Sequence, residues 1–250
     1  MKGVLRLYLL VLLLSGALAA QTVKTSLKYS VRLPSVKTGK IPVLIFLHGY
    51  GSNEADLFEL SKTMDPRFIT FSLQAPVRLS EEGYCWYAMD FLPDQKFKYD
   101  YEQVKDSRQK ILSFISNACK AYKLDSTQVF LLGFSQGAIM SYEIAFFAPS
   151  KIKGVMALSG RVLEETKLLK TDLPKLTKVS FFIAHGNSDN IIKIEESQKA
   201  NALLKEKQVA DVIYKNYEMP HSISGAELND VRAWIGKVLP AKEKKSASKK

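Results

Sequence analysis

The chain of 250 residues is 46% hydrophobic and 24% charged, which suits one large α/β domain around a packed core and excludes a disordered or fibrous chain. Its formal charge of +11 divides into two from Lys2 and Arg6, a net four from the lysines and Glu243 of Ala241 to Lys250, and +5 spread over the rest; without an arginine-rich helix or an aromatic-studded basic stripe, this excludes a nucleic-acid partner. Two cysteines are too few for a disulfide framework, and three histidines with no Cys-x-x-Cys or His-Glu-x-x-His spacing exclude a metal site.

At the amino end, Lys2 and Arg6 flank an apolar run that continues through Leu7 to Leu14, and Ala17-Leu18-Ala19 supplies the small residues a signal peptidase reads. Residues 1–20 thus read as a cleaved secretory signal, cut after Ala19 or Ala20. The alternative, an uncleaved anchor, needs ~20 apolar residues to span a bilayer, and this run is shorter. The mature protein is expected to be secreted or periplasmic, without stable membrane insertion.

Beyond the signal, short apolar runs rich in β-branched and aromatic residues alternate with longer amphipathic segments. Strands are predicted at Leu27–Leu33, Pro42–Leu47, Phe68–Leu73, Gln128–Leu132, Lys153–Leu158, Lys178–Ala184 and Asp211–Tyr217. Helices are predicted at Ala55–Met64, Tyr101–Tyr122, Gln136–Phe147, Ile194–Lys207 and Gly225–Val238. The alternation implies an α/β class: a mostly parallel central sheet with helices on both faces, in a single domain over residues 21–240. Ala75 to Tyr99 and Arg161 to Leu176 fit neither pattern. Insertions after strand carboxyl ends build ligand crevices in open α/β sheets, so these two segments are candidate walls of a substrate site. Cys85, read as lying on a loop, and Cys119, on a helix, either close one bridge or stay as free thiols; their different settings favour free thiols. Ala241 to Lys250 reads as a disordered, solubilising tail, with anionic lipid or cell wall as the alternative partner.

The most informative segment is Val129-Phe130-Leu131-Leu132-Gly133-Phe134-Ser135-Gln136-Gly137, a strand-like run that breaks into Gly-x-Ser-x-Gly and restarts as a helix-like one. In the nucleophile elbow of α/β-hydrolases, this succession holds a serine Oγ proud of the sheet. Ser135 is the candidate nucleophile, Gly133 and Gly137 remove bulk from the crowded turn, and the Gln136 backbone N–H in the first helical turn is free to receive an oxyanion. The pentapeptide alone also occurs in ordinary turns. The residues carboxyl-terminal to Ser135 decide more, because the fold demands Ser, then an acid, then His.

His221, in Glu218-Met219-Pro220-His221-Ser222, falls in the loop after the last predicted strand and is the candidate general base. Asp189, in His185-Gly186-Asn187-Ser188-Asp189, is placed to hydrogen-bond His221 and hold its tautomer. Singly, each has a bland reading: a structural histidine, or an aspartate capping a helix. Together they stand at strand ends in the required order. The second oxyanion donor is expected from His48-Gly49-Tyr50-Gly51, as the backbone N–H of Tyr50, with His48 bracing the loop.

These blocks, with Gln74-Ala75-Pro76, Trp86-Tyr87 and Ala157-Leu158-Ser159-Gly160, occur in an order that resembles the phospholipase/carboxylesterase family of α/β-hydrolases, which includes the acyl-protein thioesterases. The resemblance runs from about residue 27 to about residue 239. It implies Ser135, Asp189 and His221 as the catalytic set, Tyr50 and Gln136 as the oxyanion hole, no metal and no organic cofactor, and a small-molecule or lipid ester as substrate. Homodimers are common in the family, although no self-complementary patch stands out here. Two departures are visible: Trp86-Tyr87-Ala88 lacks the acid often found next to the aromatics, with Asp90 the nearest, and the signal sequence is unlike cytosolic thioesterases.

The resulting expectation is an exported serine hydrolase that cleaves carboxylic esters, or thioesters, through an acyl-enzyme, with Trp86, Tyr87, Phe91 and Leu92 lining the acyl pocket. The alternatives are a peptidase or polysaccharide-ester hydrolase on the same triad, or a catalytically silent binding module of the same fold.

Overall fold

The structure, a computed structural model, describes residues 21–36, 39–92 and 97–239, without the side chain of Phe91. The expected signal at 1–20 and tail at 241–250 lie outside the described residues. In chain order the strands are β1 (Tyr29–Arg32), β2 (Val43–Leu47), β3 (Ile69–Leu73), β4 (Val77–Arg78), β5 (Tyr84–Cys85), β6 (Met89–Phe91), β7 (Phe97–Tyr99), β8 (Val129–Phe134), β9 (Gly154–Leu158), β10 (Ser180–Gly186) and β11 (Val212–Tyr217). The helices are α1 (Tyr101–Ala121), α2 (Gln136–Phe147), α3 (Glu164–Lys167), α4 (Leu173–Leu176), α5 (Ile194–Glu206) and α6 (Gly225–Val238).

Seven strands form one sheet in the order β1-β3-β2-β8-β9-β10-β11. Only the β1–β3 pairing is antiparallel; every other neighbour pair is parallel. Because successive side chains on a strand point to opposite faces, one continuous apolar run feeds two cores. Val43, Ile45, Leu131, Val155, Phe181 and Ile183 face a layer that contains α1, α2 and α5. Leu44, Phe46, Phe130, Met156 and Phe182 face the other, with Val231, Trp234 and Ile235 of α6. Double-sided burial explains why these strands read as unbroken hydrophobic stretches.

Helix α2 lies so deep that Gln136 through Phe146 are all buried. It carries a carboxylate, Glu143, that is fully enclosed yet satisfied by Arg108 at 2.5 Å, by the Tyr101 hydroxyl at 3.2 Å and by Thr166 Oγ1. A buried charge needs such partners, and these three tie α1 and α3 onto the helix that begins beside Ser135.

Four expectations change. Ala55–Met64 contains only a 3-10 helix, Phe58–Thr63, because its turns close with i to i+3 bonds such as Leu60 N–H to Leu57 O at 3.0 Å and Pro66 biases the preceding chain away from helix. The segment from Ala75 to Tyr99 resolves into two small hairpins, β4–β5 and β6–β7. Arg161 to Leu176 holds two single-turn helices, α3 and α4. Cys85 stands in β5 rather than a loop, and both thiols are buried and free; burial pushes Cys85 up to about 11 and Cys119 upward, so neither is a thiolate at neutral pH.

Two glycines separate crowding from helix propensity. A Cβ on Gly137 would lie 1.9 Å from the Leu47 carbonyl oxygen, whereas one on Gly236, within α6, meets nothing within 4 Å. Gly137→Ala is expected to lose about 3 kcal/mol or more, a fall in Tm of roughly 6–12 °C. Gly236→Ala is expected to gain ~0.5–1 kcal/mol. Thermal unfolding of both variants checks this; equal shifts would refute the close approach.

Candidate active site

Ser135 sits between β8 and α2 with φ 54° and ψ −117°, a conformation that costs ~1–3 kcal/mol for a residue with a side chain. The surroundings impose it. The Ser135 N–H is tied to Leu158 O on β9 at 2.9 Å, and its carbonyl already accepts from Ala138 and Ile139 at 3.0 and 3.1 Å. A Cβ on Gly133 would stand 2.2 Å from Gly137 O, so β8 and α2 close on each other only with glycine at 133, while glycine at 137 is what lets α2 approach the Leu47 carbonyl at the end of β2. The Gln136 N–H, at the first position of α2, has no acceptor within its own helix.

The loops after β10 and β11 are joined by backbone bonds, Asn187 N–H to Tyr217 O at 2.8 Å and Ser188 N–H to Met219 O at 3.2 Å. Gly186 permits this contact, since a Cβ there would lie 2.3 Å from Met219 O. The pairing brings Asp189 to His221. Asp189 Oδ2 accepts from His221 Nδ1–H at 2.7 Å, which leaves His221 Nε2 as the basic nitrogen, and it stands 2.9 Å from Ser135 Oγ, accepting the hydroxyl proton. The Phe134 ring, 4.9 Å from the imidazole centre to centre, packs beside it.

Asp189 is held from every side. Burial pushes its carboxyl up, but hydrogen bonds from His185 and His221 and from the N–H groups of Ile192 and Ile191 outweigh that and hold it well below the usual carboxylate range. His185 Nε2 lies 3.1 Å from Oδ2 and 2.7 Å from Ile192 O, so it donates to both. His185 is thus a positioning group for Asp189, a role that the order Ser, acid, His does not assign. Its position four residues before the acid, directly after a predicted strand, is the signal that the sequence offers.

The loop His48-Gly49-Tyr50-Gly51 abuts the elbow, with Gly49 placed so that a Cβ would be 3.4 Å from Ser135 Cβ. His48 Nε2 accepts the Ala75 N–H at 3.0 Å, so its proton sits on Nδ1 and is donated to Gly49 O at 2.7 Å. Burial lowers the imidazole below its ordinary value, keeping it neutral. The brace expected of His48 is therefore present, and Tyr50 lies in the braced turn.

Trp86 and Tyr87 do not line a pocket: both are fully buried. The reason is Gln136, whose side chain accepts the Trp86 N–H at 2.8 Å and donates to Tyr87 O at 2.7 Å, while Trp86 Nε1–H reaches His48 O at 2.9 Å. These aromatics anchor the two loops around Ser135 from beneath. The side chain of Phe91 lies outside the described residues, and Leu92 is exposed on a neighbouring groove of about 480 Å³. The cleft at Ser135 is walled instead by Met89, Phe97, Ile139, Arg161, Ile191 and Ile192. Of these, Met89, Phe97 and Arg161 lie in the two irregular segments expected to form walls.

A sequence profile of the phospholipase/carboxylesterase family matches residues 31–239. The chain belongs to that family. Acyl-protein thioesterase 1 of Mycosarcoma maydis is 27% identical over 219 residues, covering 79% of this chain and 91% of that protein. Acyl-protein thioesterase 1 homolog 1 of Dictyostelium discoideum is 25% identical, with 87% and 99% covered. The crystal structure of the Bacillus cereus carboxylesterase superposes with a TM-score of 0.74 at 25% identity, over 86% of this chain and 96% of that one. As a member of the phospholipase/carboxylesterase family, the chain is a hydrolase of the esterase type.

The Asp189 environment has a pH signature. A carboxyl whose folded value is depressed adds stability above its unfolded value of ~3.9 and loses it as pH falls toward the folded value. The gap in Tm between the natural protein and Asp189→Asn is expected to be constant from neutral pH to about pH 5 and to narrow below about pH 4. Thermal scans across this range check it; a gap of unchanged width at low pH would show that the carboxylate is not preferentially held.

Proposed function

We propose that the protein is an exported serine esterase in which Ser135 is the nucleophile, His221 the general base and Asp189 the orienting acid. The observation that carries this is the unbroken chain Ser135 Oγ, His221 Nε2, His221 Nδ1 and Asp189 Oδ2, with links of 2.9 and 2.7 Å. Ser135 Oγ attacks the acyl carbonyl carbon while its proton passes to His221 Nε2. The imidazolium is stabilised by Asp189, which stays ionised. The oxyanion that forms receives the backbone N–H groups of Gln136 and Tyr50, each such donor being worth ~3 kcal/mol in the transition state. Collapse expels the alcohol, which takes the proton from His221, and leaves Ser135 acylated. Water then enters, gives a proton to the same nitrogen, and releases the acid as the Ser135 hydroxyl is restored.

The names of the relatives point to thioesters of acylated proteins. The Lys2 to Ala20 sequence favours a different compartment, and so oxygen esters of small molecules or lipids outside the cytoplasm. Loss of residues 1–20 on export would appear as a mature chain whose mass begins at Ala20 or Gln21; a full-length mature chain would refute cleavage.

The mature chain is expected to hydrolyse p-nitrophenyl esters between acetate and palmitate. Ser135→Ala should lower kcat on the order of 10⁴-fold or more, with Tm unchanged. Turnover retained in that variant would refute the assignment of Ser135.

A further inference from the structure

Arg161 is the first residue after Ala157-Leu158-Ser159-Gly160 and lines both the Ser135 cleft and the adjoining groove of about 480 Å³. Its guanidinium is backed by two aromatic rings, 4.6 Å from the centre of Phe97 and 5.9 Å from that of Tyr99. Stacking of this kind fixes the plane of the fork and leaves its in-plane N–H donors for a partner. Among the described residues Arg161 has no hydrogen bond or ion pair, and its Nε is buried without an acceptor.

The lack of a partner is not for want of carboxylates. Glu164 and Glu196 line the same groove, but Glu164 is engaged by Lys167 at 2.5 Å and Glu196 by Lys199 at 2.6 Å. Glu165 accepts from the Tyr99 hydroxyl at 2.5 Å. Lys193, on the wall of the groove, adds a second cation that takes part in no ion pair among the described residues. Each acid within the groove is thus matched by its own lysine, and a planar, aromatic-backed arginine beside the reacting serine is left over.

From this arrangement we infer that the ester hydrolysed at Ser135 carries a carboxylate of its own, received by Arg161 in the groove beside the cleft. The inference rests on the serine-esterase reading for the position of the scissile bond and narrows its substrate to half-esters and other carboxylate-bearing esters. A guanidinium fork accepts a carboxylate through two parallel N–H···O bonds, and desolvation by Phe97 and Tyr99 strengthens them. Lys193 contributes long-range attraction for the same charge.

Two pairs of esters test it. The p-nitrophenyl monoester of glutarate is compared with p-nitrophenyl valerate, placing the charge on the acyl part, and m-carboxyphenyl valerate with phenyl valerate, placing it on the alcohol. The quantity read is the ratio of kcat/KM, charged over neutral, in the natural protein, Arg161→Gln and Arg161→Lys. In at least one pair the ratio is expected to fall about tenfold or more in Arg161→Gln and to recover in part in Arg161→Lys. General damage to the fold cancels in the ratio. Independently, calorimetric binding of glutarate to Ser135→Ala is expected to weaken by a similar factor when Arg161→Gln is added. Ratios and glutarate affinity that ignore Arg161 overturn the inference. Arg161-dependent glutarate binding by a protein that hydrolyses none of the esters supports the carboxylate site and counts against the serine-esterase reading.

Discussion

Beside Ser135, two backbones pass so closely that one methyl group would part them. The Leu47 carbonyl at the end of β2 leaves a Cβ on Gly137 only 1.9 Å, and the Gly137 carbonyl leaves one on Gly133 only 2.2 Å. This approach forces the turn from β8 into α2 to be abrupt, drives Ser135 to a positive φ, and sets the first turn of α2 against the His48 to Gly51 loop. The strain at Ser135 is borne by interactions elsewhere: the bond from its N–H to Leu158 O, the buried length of α2, and the Glu143 cluster that fastens α2 to α1 and α3. A serine hydroxyl fixed in this way stays within hydrogen-bond reach of His221 Nε2.

The second half of the site uses the same economy of space. Gly186 lets the loops after β10 and β11 touch, and two backbone bonds carry Asp189 to His221. Burial alone would raise the Asp189 carboxyl, so its ionisation depends on four N–H donors, two from imidazoles and two from the backbone. In the reaction proposed, this charge is in place beside His221 before substrate arrives, the form in which electrostatic stabilisation is most effective.

Much of this is legible in the sequence because the relevant signals are local. The strand cores and the glycine-flanked serine are short patterns with one dominant cause each; α6 lies where its periodicity puts it, and α2 starts where the Gly-x-Ser-x-Gly turn starts it. Boundaries slip where the cause is distant: His185 and Gly186 look like loop residues, yet they extend β10 because Asn216 and Tyr217 pair with them. Trp86 and Tyr87 pass for pocket walls because an aromatic cluster does not reveal which way it faces. What turns them inward is the amide of Gln136, 50 and 49 residues away, and no local pattern records such a contact. Arg161 carries no motif at all; only the fold shows that the acids around it are already taken.

The most direct measurement is to treat the protein with a fluorophosphonate, which forms a stable adduct with an activated serine, and to locate the adduct by peptide mass spectrometry. A single adduct on Ser135, formed in step with loss of ester hydrolysis and absent from His221→Ala, is the result expected of a nucleophile poised by His221 and Asp189. Complete loss of hydrolysis with the adduct on another residue, or hydrolysis that persists with Ser135 fully modified, would contradict it.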